Sequence, residues 1–190
     1  MNYLIIECHP YKGSFNAAVS KTVQDALSGE KVKVVNLVDD GFNPVMSGHD
    51  LNNWRNGQSI DPLVRIYQQN IEETDYIIFP IPIWWGVMPA VLKGFCDKVF
   101  LPKWAYNIDA NGNMIGLLTD KKAIVITTMQ TPYKLFVEHF KNPIEGAFVK
   151  DTLGSCGIQV EHLLQIDQLN TGGKEYAQAR LKEVKNLFKK

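Results

Sequence analysis

The sequence predicts a parallel α/β sheet with helices wound on both faces. Short apolar runs occupy 3–7, 32–37, 76–79, 122–128 and 159–166, and runs of that length and composition suit strands buried inside a sheet. Most of the segments between them place apolar residues at steps of three and four, the helical spacing. Strands alternating with helices imply right-handed crossovers and hence parallel pairing. No internal repeat, low-complexity tract or linker divides the chain, so 1–190 reads as one domain. That length is enough for one substantial core and short for two.

Residues 3–7 (YLIIE) are expected to form the innermost strand, running into a loop, CHPYKGS, marked by Pro10 and Gly13. A helix over 15–27 should follow, with Val19, Val23, Ala26 and Leu27 on one face, Ser14 or Asn16 as its cap, and Gly29 as its end. The second strand, 32–37, leads into a polar stretch, 38–60, with no clear period. A connection that long reads as a functional excursion rather than a plain turn. Residues 62–73 are helical in pattern, with Leu63, Ile66, Tyr67, Asn70 and Ile71 spaced for one face. The stretch 76–101 reads as strand, aromatic loop, then a helix with Pro89 at its first position and Val91, Leu92, Phe95, Val99 and Phe100 apolar. Beyond it, Asn111-Gly112 marks a small hairpin within 104–119. Residues 132–149 are helical in part, interrupted at Pro143, and 174–189 form a terminal helix with Tyr176, Ala179, Leu181, Val184, Leu187 and Phe188 on its apolar face.

Bulk properties exclude several classes. Twenty basic residues balance twenty acidic ones, so nothing favours nucleic acid or an anionic membrane surface as partner. Cys8, Cys96 and Cys156 are far apart and form no C-x-x-C pair, which suits a reducing cytoplasm better than a disulfide framework. No basic segment precedes a long apolar run at the N-terminus, so a signal peptide is not expected. Residues 76–92 lack charge but are too short to span a bilayer and are broken by Pro80, Pro82 and Pro89. His9, His49, His139 and His162 do not cluster at metal-ligand spacings, so no metal is implied. There is neither G-x-G-x-x-G after the first strand nor G-x-x-x-x-G-K-[ST] anywhere, which removes the dinucleotide fingerprint and the P-loop.

Two loops remain that can carry chemistry. In the first, His9-Pro-Tyr-Lys-Gly-Ser-Phe-Asn16 lies between a strand and a helix. It reads either as a plain capped loop or as a phosphate site built from the helix N-terminus, the Ser14 hydroxyl and Lys12. In the second, Pro82-Ile83-Trp84-Trp85-Gly86 follows another strand, at the edge where open α/β sheets bind ligands. Its tryptophans either pack in the core or face a flat aromatic ligand. One loop for a phosphate and the next for a flat ring match the two parts of a flavin nucleotide.

The motifs His9-Pro-x-x-x-Ser14-Phe15-Asn16, Phe42-Asn43-Pro44, Pro82 to Gly86, Pro89-Ala90-x-Leu92-Lys93-Gly94 and Ala105-Tyr106 together resemble the flavodoxin-like NAD(P)H:quinone oxidoreductase family. The resemblance is collinear over nearly the whole chain. It implies a flavodoxin-like fold, a five-stranded parallel sheet of order 2-1-3-4-5 with helices on both faces, and a homodimer with active sites at the subunit interface. It further implies a tightly bound flavin, FMN or alternatively FAD, with NAD(P)H as co-substrate and a quinone-like acceptor. By position, His9, Ser14, Phe15 and Asn16 would hold the flavin phosphate, and Pro82, Ile83, Trp84 and Trp85 would line the ring. Thr127, Thr128, Met129 and Gln130 would meet the pyrimidine end, with backbone donors near the flavin carbonyls, and Tyr106 would belong to the substrate-side wall. The family often has Gly-Gly where this chain has Met129-Gln130, a departure that bears on the close approach of backbone to ring.

Tyr133 and His139 are catalytic candidates by the same resemblance, since larger members carry a tyrosine and a histidine six residues apart after the Thr-Thr pair. Helical geometry would put this pair on opposite faces. Two other classes share the fold: a flavodoxin-type electron carrier, disfavoured by zero net charge, and a non-catalytic regulatory subunit of a potassium efflux system.

Overall fold

The computed structural model describes residues 1–189. Strands β1 (Asn2–Glu7), β2 (Lys31–Asn36), β3 (Tyr76–Pro82), β6 (Lys122–Thr128) and β7 (Gln159–Ile166) form one parallel sheet in the order β2-β1-β3-β6-β7. β1 is an interior strand, but the innermost position belongs to β3, whose residues from Ile77 to Pro82 are all buried. The sheet therefore turns in both directions from β1, towards β2 on one side and β3 on the other. That divergence is the topological switch point of an open α/β sheet.

Side-chain alternation along each strand supplies two cores. Leu4, Ile6, Ile77, Phe79, Ala123 and Val125 face α3 (Pro62–Glu72) and α4 (Ala90–Val99). Tyr3, Ile5, Ile78, Ile124 and Ile126 face α1 (Phe15–Ala26) and α6 (Gly173–Asn186). α1 delivers Val19, Val23 and Leu27 to that second core as its spacing predicts, whereas α6 buries only Val184 fully and leaves Ala179 exposed. On α3 the expected Ile66 is exposed and Val64 takes its place in the core.

The polar stretch after β2 contains a short helix, α2 (Gly48–Trp54), that periodicity did not reveal. It is set by its cap: the Ser47 hydroxyl accepts from Asp50 N, and the Asp50 carboxylate accepts from Ser47 N. Pro89 stands at the N-cap of α4 rather than inside it. Strands β4 (Tyr106–Ile108) and β5 (Met114–Gly116) form the expected hairpin, whose turn is organised by Asp109 accepting from Asn111 and Asn113 N–H groups. After β6 the chain forms α5 (Tyr133–Phe140), turns through left-handed Lys141 and Asn142, and enters a π-helix (Ile144–Leu153) led by Pro143. Proline thus interrupts the helix where expected, but the second piece runs beyond 149 with a wider coil. No helix among the described residues is long and apolar enough to cross a membrane.

Candidate functional site

A cleft of about 350 Å³ opens at the carboxyl edge of the sheet, beside the switch point. Four strand ends build it. After β1 come His9, Ser14, Phe15 and Asn16; after β3 come Ile83 and Trp84; after β6 come Met129 and Gln130; after β7 come Leu169 and Asn170. A cleft of similar size at the opposite, amino edge of the strands is lined by Tyr3, Tyr76 and Glu161 among others. The carboxyl-edge cleft is the better candidate because loops from four strands and a helix N-terminus converge there.

Ser14 caps α1: its Oγ accepts from Ala17 N at 3.1 Å. The first intrahelical bond runs from Ala18 N to Ser14 O, so the N–H groups of Phe15 and Asn16 lie ahead of the helix ladder and face out from its end. Asn16 is 4% exposed and donates from Nδ2 to Thr128 Oγ1 at 3.4 Å, joining the helix start to the end of β6. His9 accepts on Nδ1 from Tyr11 N at 3.0 Å, which leaves the mobile proton of the neutral ring on Nε2. Burial holds its pKa below the ordinary 6.5. Lys12 is elsewhere: it pairs with Asp39 at 2.9 Å and lines a neighbouring cleft with Glu7 and Asn36. Among the described residues, no aspartate, glutamate, lysine or arginine lines the carboxyl-edge cleft.

The aromatic loop is held by a two-residue turn. Trp84 N donates to Val87 O at 2.9 Å and Val87 N to Trp84 O at 3.2 Å, with Trp85 and Gly86 both at positive φ, 50° and 81°. Consecutive positive φ values are those of a type I′ turn. Glycine takes that conformation freely, while tryptophan there is unusual. Neither ring belongs to the core: Trp84 lines the cleft edge-on to His9, with centroids 5.7 Å apart, and Trp85 is fully exposed outside the cleft.

These features fit a phosphorylated flat heterocycle. An anion at the α1 end meets outward backbone N–H groups, a hydroxyl and a neutral imidazole N–H without a competing carboxylate. A ring beside Trp84 and Ile83 meets apolar surface.

The family model for the flavodoxin-like fold matches residues 1–190. A Haemophilus influenzae protein named as an uncharacterized NAD(P)H oxidoreductase is 31% identical, the match covering 84% of this chain and 80% of that protein. The chain belongs to the flavodoxin-like NAD(P)H:quinone oxidoreductase family. The NAD(P)H dehydrogenase [quinone] 1 of Cavia porcellus is 33% identical over 83% of this chain, which spans 65% of that longer relative. Among solved structures, Smu.1420 from Streptococcus mutans superposes with a TM-score of 0.83 at 29% identity, covering 99% of this chain and 98% of its own. The NAD(P)H:quinone oxidoreductase of Methanothermobacter marburgensis shares the fold, with a TM-score of 0.86 at 22% identity, covering 99% and 97% of the two chains.

In this family member, several expected site residues lie apart from the cleft. Thr127 alternates to the opposite face of β6 from Thr128 and is fully buried. Tyr106 lines a separate cleft of about 220 Å³ with Trp54, Met114 and Cys156. Tyr133 and His139 are exposed at opposite ends of α5; Tyr133 N donates to Asp167, and His139 meets Phe140 edge-on. Neither lines the cleft, and α5 separates them about its axis by roughly 240°, so they form no pair. The expected set of backbone donors also contracts, because Met129 N is committed to Ile166 O while Gln130 N has no protein partner among the described residues. Conversely, Leu169, Asn170 and Ala177, from the turn after β7 and the start of α6, line the cleft without having been singled out. Their position at the fifth strand end was the available signal.

Proposed function

We propose that the protein is a flavin-dependent NAD(P)H oxidoreductase that reduces a quinone-like acceptor by two electrons, with FMN in the carboxyl-edge cleft. The observation that carries this reading is the junction of a charge-free helix N-terminus and an apolar tryptophan loop in one cleft. The names of the Haemophilus and Cavia relatives support the reaction class. A bound flavin would supply the redox chemistry of a two-electron transfer from NAD(P)H to the acceptor.

The chain's own residues bind and orient. The Phe15 and Asn16 N–H groups, the Ser14 hydroxyl and His9 Nε2–H would hold the phosphate. Pro82, Ile83 and Trp84 would hold the ring on one side of the cleft, and Thr128, Met129 and Gln130 on the other. Residues 1–190 act as a single flavin-binding domain, and three buried free thiols suit the cytoplasm.

A homodimer belongs to this reading, and it does not draw on Phe95, Phe100 or Leu101, which are buried within one chain. Trp85, Val87, Ile108 and Ile115 are among the exposed apolar side chains, and pairing two copies through them would bury that surface. Steady-state oxidation of NADH and NADPH with menadione, run beside sedimentation at micromolar concentration, tests the proposal. The expected result is turnover by a dimer; a flavin-loaded protein that oxidises neither nucleotide would instead be an electron carrier or a binding subunit.

A further inference from the structure

We propose that Gln130 is a positioning residue for the bound flavin: its side-chain carbonyl clamps together the two loops that form the far wall of the cleft. The inference rests on the flavin reading above and concerns residues outside the phosphate and tryptophan loops.

β6 is followed by Met129-Gln130, and the two side chains part. Met129 is 3% exposed and joins the core that includes Phe136. Gln130 remains at the surface, where its Oε1 accepts from Asn170 N at 2.7 Å. Both Gln130 and Asn170 line the cleft. The bulk of Met129 therefore goes into the core, and Gln130 spans to the neighbouring loop.

The backbone around Gln130 gives that link a consequence. Thr128 O accepts from Ile83 N, and Met129 N donates to Ile166 O, both at 2.8 Å. Gln130 N is the next donor along the chain and has no protein partner among the described residues. Two residues further on, Pro132 N-caps α5, and Tyr133 N donates to Asp167 Oδ2 at 2.7 Å. Asp167 is itself fixed by the Tyr176 hydroxyl, at 2.8 Å to Oδ1. Residues 129–132 are thus tied at both ends, through Gln130 and Tyr133, to the loop after β7, while the free N–H between those ties belongs to a cleft-lining residue. Holding a long exposed side chain in one rotamer has an entropic cost, so the clamp matters chiefly where it fixes something else. Here that is the aim of one backbone donor and the distance from the tryptophan loop to Leu169 and Asn170. A fixed donor beside the ring edge favours the more negative, reduced form of a flavin, as preorganised N–H groups favour developing negative charge elsewhere.

The test uses the full chain. FMN is titrated into the apoprotein of wild type, Gln130→Met and Gln130→Glu, and the midpoint potential of each complex is measured. Gln130→Met keeps length and removes the acceptor; it should weaken FMN binding about tenfold or more and make the potential more negative, with the apoprotein melting as wild type does. Gln130→Glu keeps the acceptor; in 0.5 M salt, where its added charge is screened, it should bind FMN within about threefold of wild type. Equal affinity and potential in wild type and Gln130→Met overturn this inference and leave the functional reading standing. Equal weakening in the two variants also overturns it, because the acceptor is then irrelevant. A wild-type chain that binds neither FMN nor FAD overturns both.

Discussion

Replacing Gly94 with alanine should destabilise the protein, although alanine is the better helix former. Glycine in a helix interior costs roughly 1 kcal/mol relative to alanine, so propensity alone predicts a gain. Packing opposes it. A Cβ at Gly94 would stand 2.3 Å from Pro44 O and 2.4 Å from both Pro44 Cα and Cβ, the place where α4 lies against the segment after β2. Those atoms are backbone or proline ring and cannot swing aside. Overfilling a packed site costs about 1–3 kcal/mol, and a backbone obstruction belongs at the upper end. Setting about 3 kcal/mol of clash against about 1 kcal/mol of propensity leaves a net loss of roughly 2 kcal/mol. For a chain of this size that lowers the melting temperature by about 4–8 °C. The same shift would pull on Lys98, four residues along α4, which donates to Asn43 O at 3.0 Å. Thermal melts followed by circular dichroism measure the effect, with Gly146→Ala as the control because a Cβ there meets nothing within 4 Å. A Gly94→Ala protein that melts at or above the wild-type temperature would refute the packing argument.

Lys98→Met should cost about 3–5 kcal/mol in urea unfolding, because it strands the Asp61 carboxylate of an ion pair whose lysine side chain is 5% exposed; adding Asp61→Asn should restore part of the loss, and a neutral single variant would contradict the pair's burial. Burial, together with the nearby Glu7, pushes the Cys8 thiol up to about 12, burial alone takes Cys156 to about 12, and burial raises Cys96 as well. At pH 8 an aromatic disulfide reagent should therefore leave the native protein unmodified and titrate three thiols after denaturation; rapid labelling of the native state would be inconsistent with these environments. His9 should titrate below 6.5 by NMR. The unfolded chain then takes up its proton first, so the stability contributed by neutral His9 is fully present above pH 6.5 and is lost as pH falls through the folded value; a value of 6.5 in the apoprotein would abolish the effect and a higher one would reverse its sign.

Much of the sheet was legible because its central strands are apolar on both faces and its strands are bounded by proline, glycine or charge. β6 and β7 span the residues read from the sequence, and Ser14 caps α1 as one of its two candidates. The site was legible to the extent that it follows strand ends: His9, Ser14 to Asn16, Ile83, Trp84, Met129 and Gln130 meet in one cleft. What failed had local physical causes. α2 is fixed by a reciprocal Ser47–Asp50 cap rather than by apolar period, so no periodicity in the sequence marks it. Trp85 and Trp84 are neighbours in sequence, but the positive φ of Trp85 and Gly86 turns the chain and sends the rings apart. Thr127 and Thr128 diverge through strand alternation, which a two-residue motif conceals. Leu169 and Asn170 enter the cleft across the sheet, from a loop that no motif marked.

The most direct measurement is the identity of the small molecule released when the purified protein is denatured, determined by mass. The account predicts FMN, at about one per chain, released from a yellow protein whose cleft variant Trp84→Ala retains less of it. A colourless protein that takes up neither FMN nor FAD on titration would contradict the assignment of the carboxyl-edge cleft as a flavin site.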